Sequence, residues 1–112
     1  MEIIKYLDNC KIVKSYRILD LKTFETGFYI KISVEFNDTS QLFISEYIDE
    51  TERNYSYHWQ DAENNLITRW NNAPYHKDIE TFPHHLHTRK GIFESFDFTI
   101  IDILKVIEKS DN

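Results

Sequence analysis

Phe28-Tyr29-Ile30-Lys31-Ile32-Ser33-Val34-Glu35-Phe36 is the most regular pattern in the chain. Phe28, Ile30, Ile32, Val34 and Phe36 fall on one parity; Tyr29, Lys31, Ser33 and Glu35 fall on the other. A period of two means a strand with one apolar face turned to a core. The small polar residues Asn37-Asp38-Thr39-Ser40 interrupt it with side chains that bond to their own backbone, and a second β-like run, 41–48, follows. Together they predict a hairpin. In the second run Leu42, Ile44 and Ile48 share a parity with Glu46. A carboxylate on an apolar face is more often an edge position or a satisfied polar contact than a catalyst, so Glu46 enters only as polar support for a site.

Further along the chain, 54–60 alternates Tyr55, Tyr57 and Trp59 against Asn54, Ser56, His58 and Gln60. A polar turn over 61–65 leads to a further strand at 66–70, and 12–21 fits an earlier one. Nothing between these runs is long enough for crossover helices, which favours an antiparallel meander of about five strands. Residues 71–90 hold both prolines and lose the periodicity, so they read as a loop-rich segment, with Gly91 turning the chain into a last helix. Thr99 and Asp102 resemble a capping box, and Ile100, Ile103, Leu104 and Ile107 form a helical stripe. A short N-terminal helix over 3–9 is carried by Ile3, Ile4 and Leu7. The expectation is an α+β fold in a single domain, residues 1–112.

Composition bounds the function. With 41% hydrophobic residues and only two Gly and two Pro, collagen-like, Pro-rich and disordered classes are excluded. A net charge of −6 argues against a surface built to coat nucleic acid, while leaving room for a local basic pocket. The lone Cys10 cannot form an internal disulfide or a zinc-finger ligand set and reads as a small core side chain. Met1 leads into Glu2-Ile3-Ile4-Lys5 with neither a basic leader nor a long apolar run. A cytoplasmic protein without a membrane span is expected.

All five histidines lie between 58 and 87: His58, His76, His84, His85 and His87. Imidazole exchanges protons near neutral pH, so such a cluster suits acid/base work. RNA cleavage needs a base for the 2′-hydroxyl, an acid for the leaving oxygen and positive charge near the phosphorane; Arg69, Arg89 or Lys90 can supply the last. His76 and His85 are the preferred acid/base pair, with His84, His87 and His58 as alternatives. Tyr57 and Tyr75 can stack on a base, and Arg89 and Lys90 can guide the backbone. No metal or cofactor is assigned under that reading. Two alternatives stay open: a noncatalytic binding pocket, and a metal-dependent hydrolase in which imidazoles with Glu46 or Asp78 hold an ion. The helical H-E-x-x-H spacing is absent. In an extended strand His85 and His87 share a face and His84 points away; in a turn all three converge.

The strings Tyr55-Ser56-Tyr57-His58-Trp59-Gln60-Asp61, Leu66-Ile67-Thr68-Arg69-Trp70-Asn71-Asn72-Ala73-Pro74-Tyr75-His76 and Thr81-Phe82-Pro83-His84-His85-Leu86-His87, in this order, resemble the TumE family of toxin-antitoxin toxins. The resemblance implies a cytoplasmic toxin neutralised by an antitoxin encoded nearby; RNA as a candidate substrate comes from the imidazoles and cations above, and a homo-oligomer is compatible with the sequence. Arg69, His76, Pro83, His84, His85 and His87 keep the family's residue types. The family often has Asp at Asn71 and His at Tyr75; an amide supplies no carboxylate and a phenol no neutral-pH imidazole.

Overall fold

The structure is a computed structural model that describes residues 2–74, 76 and 78–110. Seven antiparallel strands form one sheet in chain order: β1 (Val13–Phe24), β2 (Gly27–Phe36), β3 (Gln41–Ile48), β4 (Arg53–Gln60), β5 (Leu66–Asn71), β6 (His85–Thr88) and β7 (Gly91–Glu94). The meander is as expected, but the strand count is seven where the sequence suggested about five. The two extra strands, four residues each, come from the tail of the segment read as loop and from the residues after it. They are too short to show a period, and Arg89-Lys90 joins them without the Asn-Gly or Asp-Gly signal of a tight hairpin. Gly91, expected to turn the chain into the last helix, begins β7 instead, at a φ of 139° that only glycine adopts readily.

Local chemistry fixes the other turns. The Asp38 carboxylate accepts from the Ser40 amide and hydroxyl, with Thr39 left-handed between them. Asp61 likewise accepts from the amides of Glu63 and Asn65. Gly27 runs so close to β3 that a Cβ there would stand 1.8 Å from the Ile48 carbonyl oxygen.

Two helices, α1 (Glu2–Asn9) and α2 (Ile100–Ser110), cover one face of the sheet. The capping box forms: Asp102 accepts from the Thr99 amide and hydroxyl, each at 2.9 Å, and returns its own amide to the Thr99 hydroxyl. Ile100, Ile103, Leu104 and Ile107 are buried with Ile3 and Leu7 against Ile30, Ile32, Val34, Leu42 and Ile44. The parity seen in the sequence is thus the parity of the core. The opposite face carries no helix, and what stands on it is set by strand register.

Candidate functional site on the open sheet face

Directly opposed residues on antiparallel neighbours point to the same face. Register therefore lays side chains in rows across the sheet. Phe43 opposes His58, His58 opposes Arg69, Arg69 opposes His87, and His87 opposes Ile92. The next row runs Lys31, Ser45, Ser56, Asn71, His85 and Glu94. Both rows lie on the face away from the helices, and Arg69 stands with an imidazole on either side.

The loop between β5 and β6 folds back over the end of this face. Asn72 starts it by mimicking a strand: its Oδ1 accepts from the Tyr55 amide at 2.9 Å and its Nδ2 donates to the Arg53 carbonyl at 2.6 Å. The Asn71 Oδ1 accepts from the Ala73 amide at 3.0 Å, a contact for which an amide serves as well as a carboxylate. Further along, Thr81 donates its hydroxyl to the His84 carbonyl and accepts from the Ser95 amide, tying the loop to the end of β7. His76 then reaches the cluster from a left-handed backbone, φ 59°, held by the Ile79 amide donating to its carbonyl at 3.1 Å.

Three imidazoles converge as a result. Ring centroids are 5.1 Å apart for His76 and His85, 5.7 Å for His76 and His87, and 4.9 Å for His85 and His87, all edge to face. One nitrogen from each lies within 4.8 Å of the other two. His85 is buried and its Nδ1 is 2.9 Å from the Pro83 carbonyl oxygen. A carbonyl only accepts, so Nδ1 carries a proton, and in the neutral ring Nε2 is the nitrogen with the lone pair. Burial, then electrostatic repulsion from the neighbouring His85, His76 and Arg69 side chains, pushes the His87 imidazole below its ordinary pKa. His76, His85, His87, Arg69, Ser56 and Asn71 line a cleft of about 410 Å³. A second cleft, of about 380 Å³, shares Ser56 and Arg69 and continues past His58 to Lys31, Phe43 and Leu19. Arg69 is the hinge between the two.

His58 borders this groove. Its Nε2 is 3.1 Å from the Gln60 Oε1, while its Nδ1 is the buried side-chain nitrogen without a partner among the described residues. Arg69 makes no ion pair with any described residue.

The remaining candidates are elsewhere. His84 lies on the helix-covered side, its Nδ1 2.8 Å from the Tyr55 hydroxyl and its ring stacked on that tyrosine, as expected for an extended strand. Glu46 is on that side too, on the apolar parity, where it accepts from Arg53 Nε at 3.2 Å and from the Tyr57 hydroxyl at 2.9 Å. It supports the fold, away from the imidazoles. Tyr57 is fully buried in the same network, so its ring is closed to a ligand; burial, then the Glu46 carboxylate, push its pKa up. Arg89 pairs with Asp61 and donates to the Leu66 carbonyl at the far edge of the hairpins, next to Lys90 in the β6–β7 turn. Tyr75 lies outside the described residues. The groove residues Lys31, Ser45 and Ser56 were not singled out in the sequence, although each sat on the polar parity of its strand.

The matching family model supplies the class. It is described as Toxin TumE and matches residues 3–111. The chain belongs to the TumE toxin family. No curated protein and no solved structure matches it. A TumE toxin implies an antitoxin partner, and among the described residues no helix is long and apolar enough to cross a membrane. The aligned span takes in all seven strands and α2, so the imidazole cluster lies within it.

Proposed function

We propose that this TumE toxin acts in the cytoplasm by cleaving RNA on the open sheet face, with Arg69 holding the scissile phosphate between His87 and His58. The row His58, Arg69, His87 carries the reading. Adjacent strands lie about 4.7–4.9 Å apart, so the two flanking residues are roughly 9–10 Å apart at the backbone, a span that admits a phosphodiester between their side chains. His87, whose surroundings disfavour its protonated form, removes the 2′-hydroxyl proton. The 2′-oxygen bonds to phosphorus and the bond from phosphorus to the 5′-oxygen breaks. His58 delivers a proton to that leaving oxygen through Nε2, and the guanidinium of Arg69 bears the charge growing on the phosphorane. The products are a 2′,3′-cyclic phosphate and a 5′-hydroxyl. His76 and His85 shape the pocket beside the base, and the groove past Lys31 and Phe43 takes the neighbouring nucleotide.

The test is a defined RNA incubated with purified toxin in EDTA, with product ends identified by mass. Cyclic phosphate ends are expected, along with rates lower by about 100- to 10,000-fold in His87→Ala and His58→Ala. Intact RNA, or an unchanged rate in both variants, would overturn the assignment and leave a noncatalytic binding face as the account of toxicity.

A further inference from the structure

The convergence of three imidazoles exceeds what proton transfer on either side of Arg69 needs. His85 is almost wholly buried, with only 2% of its surface exposed, and so is poorly placed to meet an RNA directly. It nevertheless holds its Nδ1 proton on a main-chain carbonyl, the outer-shell contact that fixes a metal-ligating imidazole with its other nitrogen bare. His87 follows two residues later on the same strand face, and His76 arrives from a separate segment to complete the triangle. Three ligands from one rigid strand and one anchored loop make a built site, not a chance run of surface histidines.

The chemistry of the donors narrows the ion. Among the described residues the cluster holds imidazoles alone, with no carboxylate in it. Neutral nitrogen ligands suit zinc, copper or nickel and reject magnesium and calcium, which want oxygen. Zinc–nitrogen bonds of about 2.0–2.1 Å put ligand nitrogens roughly 3.3–3.4 Å apart, so a set already within 4.8 Å closes on the ion by side-chain rotation without moving the strand. The three imidazoles and Arg69 line the same cleft, so the cluster is open to solvent on that side.

We propose that His76, His85 and His87 form a three-nitrogen site for a zinc-class dication, and that its occupancy silences the toxin. The silencing rests on the acid/base reading above, because a metal bound at His87 takes the lone pair that must accept the 2′-hydroxyl proton. The metal site itself does not depend on that reading.

Zinc chloride titrated calorimetrically into metal-free protein tests the site, and cobalt absorption bands report nitrogen coordination independently. One zinc per chain is expected. His76→Asn keeps a side chain that tolerates the left-handed backbone, and His87→Ala changes a half-buried position, so both variants retain the fold by circular dichroism. Each is expected to weaken binding by more than about 100-fold, since outer-shell changes alone cost about 10- to 100-fold. Absence of binding at millimolar zinc, or wild-type affinity in both variants, overturns the site. In parallel, RNA cleavage by wild type falls as zinc saturates the protein and returns with EDTA. Cleavage that rises with zinc overturns the silencing. A protein that binds zinc at these residues but cleaves no RNA under any condition defeats the acid/base reading while upholding the site.

Discussion

The two faces of one sheet solve opposite problems with similar residues. On the helix-covered face an arginine, a glutamate and two tyrosines close a complete network: Arg53 reaches Glu46, Asp97, the Tyr57 hydroxyl and the Phe98 carbonyl, and stacks over Tyr55. On the open face Arg69 stands without an ion pair among the described residues, beside three rings turned toward one point. The same guanidinium is a structural part in one setting and an available charge in the other. A buried network that is fully satisfied fixes the fold, whereas unspent hydrogen-bonding capacity on an accessible face is what a ligand can use.

Breaking the covered face should give the largest stability effect. Arg53→Ala strands Glu46, whose side chain is only 13% exposed, and is expected to cost about 3–5 kcal/mol in urea unfolding. A loss under about 1 kcal/mol would mean that the network is solvated and the contrast between faces is false. Gly27→Ala drives a methyl into the Ile48 carbonyl and should cost about 1–3 kcal/mol, with the β2–β3 edge showing the fastest amide exchange.

How much of this was legible follows from which signals are local. Phe28 to Phe36 announced a strand because each residue reports its own side, and Thr99 with Asp102 announced a helix start because cap and partner are three residues apart. Glu46 was visible as an anomaly, but its partner Arg53 emerges only when the hairpin register is known. β6 escaped notice because His85-Leu86-His87-Thr88 is short and offers one apolar residue. With β6 missing, nothing in the sequence could align His87 with Arg69, and His76 with His85 was the pair preferred over His87 and His58. Register then did what residue types could not: it set His85 and His87 on one face and His84 on the other, and the folded-back loop brought His76 to the first two.

That separation can be sharpened. His84→Ala removes one hydrogen bond and a stacked ring from Tyr55 and should cost about 1 kcal/mol of stability with cleavage retained. Loss of cleavage at full stability would place His84 back in the site. The smallest effect is expected at the rim. Hydrogen bonding from Tyr47, then from the Thr51 and Glu52 amides, holds the Asp49 carboxyl down at about 2. A folded pKa below the unfolded value gives stability that is present above about pH 4 and lost as pH falls through about 2. Asp49→Asn should lower the urea midpoint slightly near neutrality and flatten its fall over that interval, the two proteins converging at low pH; an unaltered acid profile would show the contact to be dispensable.

The most direct measurement pairs two readouts on Arg69→Ala: the rate of RNA cleavage in EDTA and the free energy of unfolding. An exposed side chain without an ion pair among the described residues predicts a stability change within about 0.5 kcal/mol, and a phosphate anchor predicts a rate lower by about 100- to 1000-fold. A rate that holds while Arg69 is gone, or one that falls only in step with stability, would contradict the placement of the chemistry on the open face.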